Sequence, residues 1–198
     1  MGDSEVYLPS QDGALRQGEV ISGLVQIRLG LENGFPGPDD EHAVIRIEHS
    51  LALVVSQDCD LDWDYKNRSG LELNPQKEMP NTLFCEVAAA AELRGLEGIN
   101  ASIWGKIKTN KDERYQFLQR IPRNRDAAGE GLPELALDFK RCFTIPTEEV
   151  YRQLRAQGRR RCRLASPYLE HLSDRLFNYH ARVALPTEHM SEPEPSSR

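Results

Sequence analysis

Four aspartates directly follow an apolar run and form the first candidate for chemistry in this chain. The stretch LALVVSQDCDLDWDY, residues 51–65, carries them at every second position: Asp58, Asp60, Asp62 and Asp64. In extended backbone alternate side chains share one face, so the four carboxylates would lie together and repel one another. A hard divalent cation such as Mg²⁺ or Ca²⁺ would relieve that repulsion, and Asp58, Asp60 and Asp62 are its candidate ligands.

Other interpretations of this aspartate run stay open. The aspartates can cap a turn in solvent after a strand that ends at Ser56, or they can pair with arginines of the same chain. A calcium-binding EF-hand loop is excluded, because Trp63 stands where that loop needs glycine and Ser69 where it needs a bidentate glutamate. Cys59 is either a small buried thiol or a nucleophile that needs a histidine partner.

A second group of candidate residues is basic. Six arginines lie between residues 152 and 163, and Arg159, Arg160 and Arg161 are consecutive. The guanidinium group matches phosphate oxygens in a bidentate way, so this cluster is a candidate phosphate site; equally, it could offset the acidic surface of the chain. Arg114 and Arg120 are interleaved with aromatic residues, a pattern typical of single-stranded nucleic-acid binding and also of a packed core.

Length and composition limit the class of protein. The chain has 198 residues, a formal net charge of −6, 28% charged and 39% hydrophobic residues. Such a chain can bury the core of one domain, and its acidic balance argues against a surface coated with positive charge. No apolar run reaches the length of a membrane span. Without a visible secretory signal or a CxxC pair, reduced cysteines and a cytoplasmic location are expected.

The elements that must position these residues are mainly strands up to residue 145. The apolar run at 51–55 predicts a strand that becomes buried on both faces, so Val54 and Val55 are expected in the interior. The segment 102–121 predicts two short strands around the polar turn TNKDE. We therefore expect a β-barrel-like body with long loops over residues 1–145.

The periodicity becomes helical after residue 145. Thr147 and Ser166 are candidate N-caps, Pro167 follows at a favoured first helical position, and leucines then recur at helical spacing. The sequence thus predicts an α+β fold, a small curled β-sheet or barrel closed by two C-terminal helices within residues 146–186. Residues 187–198 are polar and proline-rich and are expected to be a disordered tail.

Three segments, taken in order, resemble the MazF/PemK-type toxins, small-barrel proteins of bacterial toxin–antitoxin systems. QGEVI (17–21) resembles their opening strand, and LALVVSQD (51–58) resembles their second strand. LALDFKRCFTIPTEEVYRQL (135–154) is similar to their late strand and the helix that follows it. This resemblance implies an SH3-like barrel, a homodimer, an antitoxin as partner, and cleavage of single-stranded RNA that requires no metal.

The resemblance also suggests roles for individual residues. Arg28, Arg46 or the arginines at 159–161 would stabilise the phosphorane of RNA cleavage. Ser56 would lie near the substrate, and Gln57, next to it at the end of the strand, is a further candidate catalytic residue. Two functions stay open. The chain is either a small-barrel protein of toxin–antitoxin or phage-defence type that binds or cleaves RNA, or a non-catalytic interaction subunit of a multi-protein bacterial system. In the second case the acidic rim and the arginine-rich junction are docking surfaces.

Overall fold

The computed structural model describes residues 5–30, 43–71 and 74–181, and one antiparallel sheet of seven strands is its central element. The strands are β1 (Tyr7–Pro9), β2 (Glu19–Gly30), β3 (Ala43–Val54), β4 (Asn81–Ala89), β5 (Tyr115–Leu118), β6 (Leu135–Pro146) and β7 (Arg159–Leu164). The helices are α1 (Asp58–Arg68), α2 (Ala90–Arg94), α3 (Ala101–Lys108), α4 (Thr147–Ala156) and α5 (Tyr168–His180). The predicted α+β class is confirmed.

The sheet curls so that its two edge strands approach each other. Its strand order is β1-β7-β2-β3-β4-β6-β5. The hydroxyl of Tyr7 on β1 donates a hydrogen bond of 2.6 Å to the carbonyl of Gln119, which follows β5. Side chains of all seven strands and Leu172 of α5 share the core that the curl encloses. No backbone ladder joins β1 to β5 in the described part of the chain, so the sheet is not closed and the barrel stays a prediction.

The helices pack on the sheet in two further clusters. Leu61 of α1 and Val150 of α4 pack with Ile21 and Val54 in a second core on the other face. Leu93 of α2 and Trp104 of α3 belong to a third cluster near β5. Val54 and Val55 are both buried, as the sequence predicts. None of the described helices is long and apolar enough to cross a membrane.

The aspartate run forms a helix, and the prediction that it is extended with one acidic face is wrong. Positions two apart on an α-helix are separated by about 200°, so Asp58 and Asp62 lie on one side of the helix and Asp60 and Asp64 on the other. The local sequence favours this helix, because Asp58 and Asp60 lie in its first turn and Lys66 and Arg68 in its last. Each charge therefore stands at the helix end whose dipole it stabilises.

Two further elements differ from the prediction. Strand β7 separates the two C-terminal helices and pairs with β1 and β2, whereas only helices were expected in 146–186. Cys162 and Leu164 alternate with Arg161 and Arg163, a period of two that the arginine content obscures. Residues 101–108 form α3 in place of the first predicted hairpin strand, and the Asn100 side chain caps it by accepting the N–H of Ile103 at 3.0 Å. The predicted tail, 187–198, lies outside the described residues.

Strands β2 and β3 extend well beyond their other neighbours. β7 pairs with β2 only from Glu19 to Ser22, and β4 pairs with β3 only from Leu51 to Val54. In the described chain, residues 24–30 and 43–49 pair only with each other, as a two-stranded ribbon.

Gln153 of α4 takes the place of a missing strand beside β2. Its side-chain oxygen accepts the N–H of Val25 at 2.7 Å, and its amide group donates to the Val25 carbonyl at 2.8 Å. Gln153 is itself buried. The helix that follows β6 is thereby tied to the base of the ribbon.

Gln153→Ala should lower the free energy of unfolding by about 1–3 kcal/mol, because both backbone groups of Val25 lose their partner. Urea denaturation followed by circular dichroism measures the change. Gln157→Ala, an exposed position at the end of the same helix, is the control and should stay within about 0.5 kcal/mol of wild type. Equal effects of the two substitutions would contradict the role of Gln153.

Candidate functional site

A cleft of about 460 Å³ lies where β3 and β4 separate. Glu48 and Ser50 of β3 line one side of it, and Glu92 and Leu93 of α2 also line it. Apolar side chains of β3, β4, β5 and β6 contribute to its wall: Leu51, Val87, Tyr115 and Leu135. The cleft therefore combines apolar surface with carboxylates.

A bulge in β6 supplies the charged rim of this cleft. Leu137 of β6 pairs with Val87 of β4, and Cys142 of β6 pairs with Cys85 of β4. Between these two pairs β6 has four residues, whereas β4 has only one. The extra residues leave the ladder, as the inserted residues of a β-bulge do. Asp138 and Arg141 belong to this bulge and line the cleft.

Two arginines and two carboxylates form an ion-pair network on the rim. Arg114 donates from Nε and from its terminal nitrogen to the two Asp138 oxygens, at 2.7 and 2.5 Å. Arg141 donates to Glu86 at 2.9 Å and lies 3.7 Å from an Asp138 oxygen. The hydrogen bond to Asp138 raises the pKa of Arg114, and the bond to Glu86 raises that of Arg141. The charges of the rim are thus paired with one another.

His49 supports this rim from inside the protein. It is 6% exposed, and its ring stacks on Phe143 with the centroids 3.6 Å apart. Nδ1 lies 3.8 Å from a Glu86 oxygen, and neither ring nitrogen has a hydrogen-bond partner among the described residues. Burial lowers the pKa of His49, although Glu86 opposes that shift. The ring is therefore neutral near pH 7 and packs as an aromatic group.

The structure places one predicted nucleic-acid-binding residue, Arg114, in the cleft, whereas the predicted catalytic residues Arg28 and Arg46 do not line it. Arg28 pairs with Ile45 across the ribbon, and Arg46 pairs with Ile27. Because these are adjacent cross-strand pairs, the two arginine side chains point to opposite faces of the ribbon. Arg46 pairs with Glu48 at 2.9 Å and is 60% exposed. The two arginines do not converge on a common point.

Ser56 and Gln57 have structural positions at the end of β3. The Ser56 hydroxyl accepts the N–H of Leu83 at 2.9 Å, and Ser56 is buried. Gln57 is exposed at the N-cap position of α1, and its side chain makes no capping hydrogen bond. Ser56 thus fastens the chain leaving β3 to β4.

The consecutive arginines on β7 pair with carboxylates of the chain itself. Arg161 makes a bidentate contact with buried Asp126, at 2.8 and 2.6 Å. Arg160 lies 3.2 Å from buried Glu19 and donates to the carbonyl of Gly13 at 2.6 Å. Arg159 is 64% exposed and pairs with Glu130. This arrangement agrees with the interpretation that the arginines offset the acidic residues of the chain. Arg120, a predicted nucleic-acid-binding residue, lies exposed after β5.

The aspartates of α1 pair with separate partners. Asp58 pairs with Arg16 and accepts the N–H of Gln17 at 2.8 Å, and Asp62 pairs with Lys66 at 2.7 Å. Buried Asp64 accepts from Arg68 and from the N–H of Met79. Asp60 accepts from the thiol of Cys59, which is exposed and also contacts Gln57. Within 5–30, 43–71 and 74–181, no three histidine, cysteine or acidic side chains are arranged to hold a metal ion.

Sequence reasoning missed Asp138, Glu86 and Arg141. The one signal for them is local: the apolar positions of β6 alternate at Leu135, Leu137 and Phe139 and then shift to Phe143. A shift in the period of two marks a bulge. Comparison with known proteins adds no assignment, since no protein-family model and no curated protein matches the chain.

Arg161→Ala should lower the free energy of unfolding by about 3–5 kcal/mol, because it leaves Asp126 buried without its cation. Arg159→Ala, two positions earlier in the same strand and largely exposed, should change it by less than about 1 kcal/mol. Urea denaturation with comparable m-values measures both. A negligible effect of Arg161→Ala would show that this arginine is not part of the structural framework.

Acid denaturation tests the same pair. Burial alone would raise the pKa of Asp126, but hydrogen bonds from Arg161 and from the N–H groups of Ala128 and Gly131 hold it below its ordinary value. The stability that Asp126 contributes is present above its unfolded pKa of about 3.9 and is lost as the pH falls further. Between about pH 5 and pH 2, the free energy of unfolding should therefore decrease less in Arg161→Ala than in wild type.

Proposed function

We propose that the protein is a non-catalytic interaction subunit that binds an extended segment of a protein partner in the cleft beside β3. One observation carries this proposal. β4 leaves β3 after Leu51, so in the described chain the β3 edge from Ala43 to Ser50 has no strand beside it, and Glu48 and Ser50 on this stretch line the cleft. An uncovered strand edge presents N–H and C=O groups to which an added strand can pair.

The surroundings of this edge suit an extended polypeptide. Successive side chains of a bound strand would alternate between solvent and the apolar cleft residues Leu51, Val87 and Leu135. The rim arginines are already oriented by Asp138 and Glu86, which limits the conformational entropy lost on binding. Glu92 adds a carboxylate without an ion-pair partner among the described residues, so a basic residue is favoured in the segment that reaches α2.

The positions of the predicted catalytic residues also support binding over cleavage. Arg28 and Arg46 lie on opposite faces of the ribbon, and Arg160 and Arg161 hold internal carboxylates. Ser56 is engaged with the backbone of Leu83.

A peptide-display experiment tests this function. A phage library of random linear peptides, selected on the immobilised protein, should yield sequences in which apolar and polar residues alternate. A synthetic peptide of that sequence should slow amide hydrogen exchange in residues 43–51. Ala88→Trp, which fills the cleft, should weaken peptide binding at least tenfold by fluorescence anisotropy.

Ala156→Trp is the matched control, because Ala156 is exposed on α4 and lies outside the cleft. It should bind the selected peptide as wild type does. Equal binding by Ala88→Trp and wild type, or protection confined to another surface, would overturn the proposal.

An RNA-directed small-barrel protein of toxin–antitoxin or phage-defence type is our second candidate. The observation that favours it is the curl of the sheet, in which Tyr7 bridges to Gln119 across the two edges, together with Arg114 and Tyr115 in the cleft. The guanidinium of Arg114 lies over the Tyr115 ring, 4.8 Å from its centroid. In this case an SH3-like barrel, a homodimer and an antitoxin segment in the cleft are proposed with it.

Incubation with single-stranded RNA distinguishes the second candidate. Cleavage in EDTA that is lost in Arg114→Ala would support it. Cleavage only with Mg²⁺, lost in Asp58→Asn and Asp60→Asn, would reinstate a divalent cation at α1. No cleavage under either condition, and no binding that weakens with salt, would eliminate an RNA-directed function.

A further inference from the structure

Two cysteines face each other across neighbouring strands, and the proposed function leaves them unused. Cys85 of β4 and Cys142 of β6 are register partners. Cys85 is fully buried, Cys142 is partly buried, and both are free thiols. The pair adjoins the bulge that carries Asp138 and Arg141.

The surroundings distinguish the two sulfur atoms. The Cys85 thiol donates to the carbonyl of Asp138 at 3.2 Å, deep in the core. The Cys142 sulfur lies 3.9 Å from Nε2 of His180, an exposed residue at the end of α5, and 3.5 Å from the carbonyl of Phe139. One sulfur is therefore enclosed, and the other is next to an imidazole at the surface.

Protonation follows the same division. The neighbouring Cys85 and His180 both lower the pKa of Cys142, to about 6, and burial opposes this shift. The neighbouring Cys142, burial and the nearby charges of Asp138 and Glu86 raise the pKa of Cys85. Of the two thiols, Cys142 is therefore the more readily deprotonated. The thiolate is the reactive form of cysteine.

The strand register also suits a covalent bond between the two sulfurs. Residues directly opposite in an antiparallel ladder have Cα atoms about 4.5–5.5 Å apart. Disulfides span Cα distances of about 4.4–6.8 Å. A bridge between Cys85 and Cys142 can therefore form without separating β4 from β6.

We propose that Cys142 is the peroxide-reactive cysteine and Cys85 its resolving thiol, so that the pair forms a cross-strand disulfide. In the first step the Cys142 sulfur attacks one oxygen of hydrogen peroxide. The S–O bond forms, the O–O bond breaks, and the departing hydroxide takes up a proton and leaves as water. Sulfur is oxidised to sulfenic acid, and the peroxide is reduced.

In the second step the Cys85 sulfur attacks the Cys142 sulfur. The S–S bond forms and the S–O bond breaks, and hydroxide leaves with the proton of Cys85 as a second water. Two thiols are oxidised to one disulfide for each peroxide reduced to two waters. A thiol reductant, such as dithiothreitol, returns the pair to its starting state by exchange.

Intact mass spectrometry and peptide mapping of the full chain test this proposal. Reduced protein treated with a small excess of hydrogen peroxide, then alkylated, should lose two hydrogens and two alkylation sites, and the map should link Cys85 to Cys142. Before oxidation, iodoacetamide at pH 7 should label Cys142 faster than the more exposed Cys59.

Substitutions assign the order of the two thiols. In Cys85→Ser the reaction should stop at the sulfenic acid of Cys142, which dimedone traps. Cys142→Ser should form neither the sulfenic acid nor the disulfide. Cys59→Ser should form the disulfide as wild type does. Should Cys85→Ser fail to fold, the wild-type peptide map still decides the question. Peroxide treatment that leaves Cys85 and Cys142 unlinked, or faster labelling of Cys59, would overturn the proposal.

Discussion

Between β4 and β6 the ladder of backbone hydrogen bonds cannot run without interruption, because β6 has more residues than β4 between two paired positions. Val87 pairs with Leu137 and Cys85 with Cys142, and the surplus on β6 must leave the ladder. That surplus puts Asp138 and Arg141 on the rim of the cleft, where Arg114 and Glu86 meet them. It also turns Phe139 into the enclosed core, where it packs near Tyr179 of α5. The charged rim and the packing of the C-terminal helix thus depend on one bulge.

Periodicity predicts the parts of this fold in which local sequence and burial agree. The continuous apolar run before Ser56 is a buried strand, and the leucines after Pro167 form α5, because each pattern fits one element. The predictions for the aspartate run and for residues 159–164 are wrong. The charge of both segments favours candidate ligand sites in the sequence, whereas Asp64 and Arg161 are buried with a partner of opposite charge. A single sequence does not indicate which charges are neutralised in this way.

The roles of the predicted site residues depend on contacts that sequence spacing could not predict. Arg160 and Glu19 are 141 positions apart, and Arg161 and Asp126 are 35 apart. Only the fold brings these pairs together, and it thereby turns a candidate phosphate site into structural ion pairs. Arg114 was identified from the sequence, but Asp138 was not, because its place depends on the bulge. The cleft itself exists because β4 turns into α2 while β3 continues, a difference in direction that local patterns do not encode.

The side chain of Gln153 makes the two edges of the ribbon unequal. It already occupies the backbone groups of Val25 on β2, so within the described residues the β3 edge has more backbone free for the proposed partner segment. Every strand of this sheet runs opposite to its neighbours, and a guest that follows the same rule travels in the direction of β4. Its amino-terminal end would then meet α2, and its carboxyl-terminal end would emerge at Ala43. The cleft would thus distinguish the two directions of a bound backbone. A peptide with the same residues in reverse order would then bind differently.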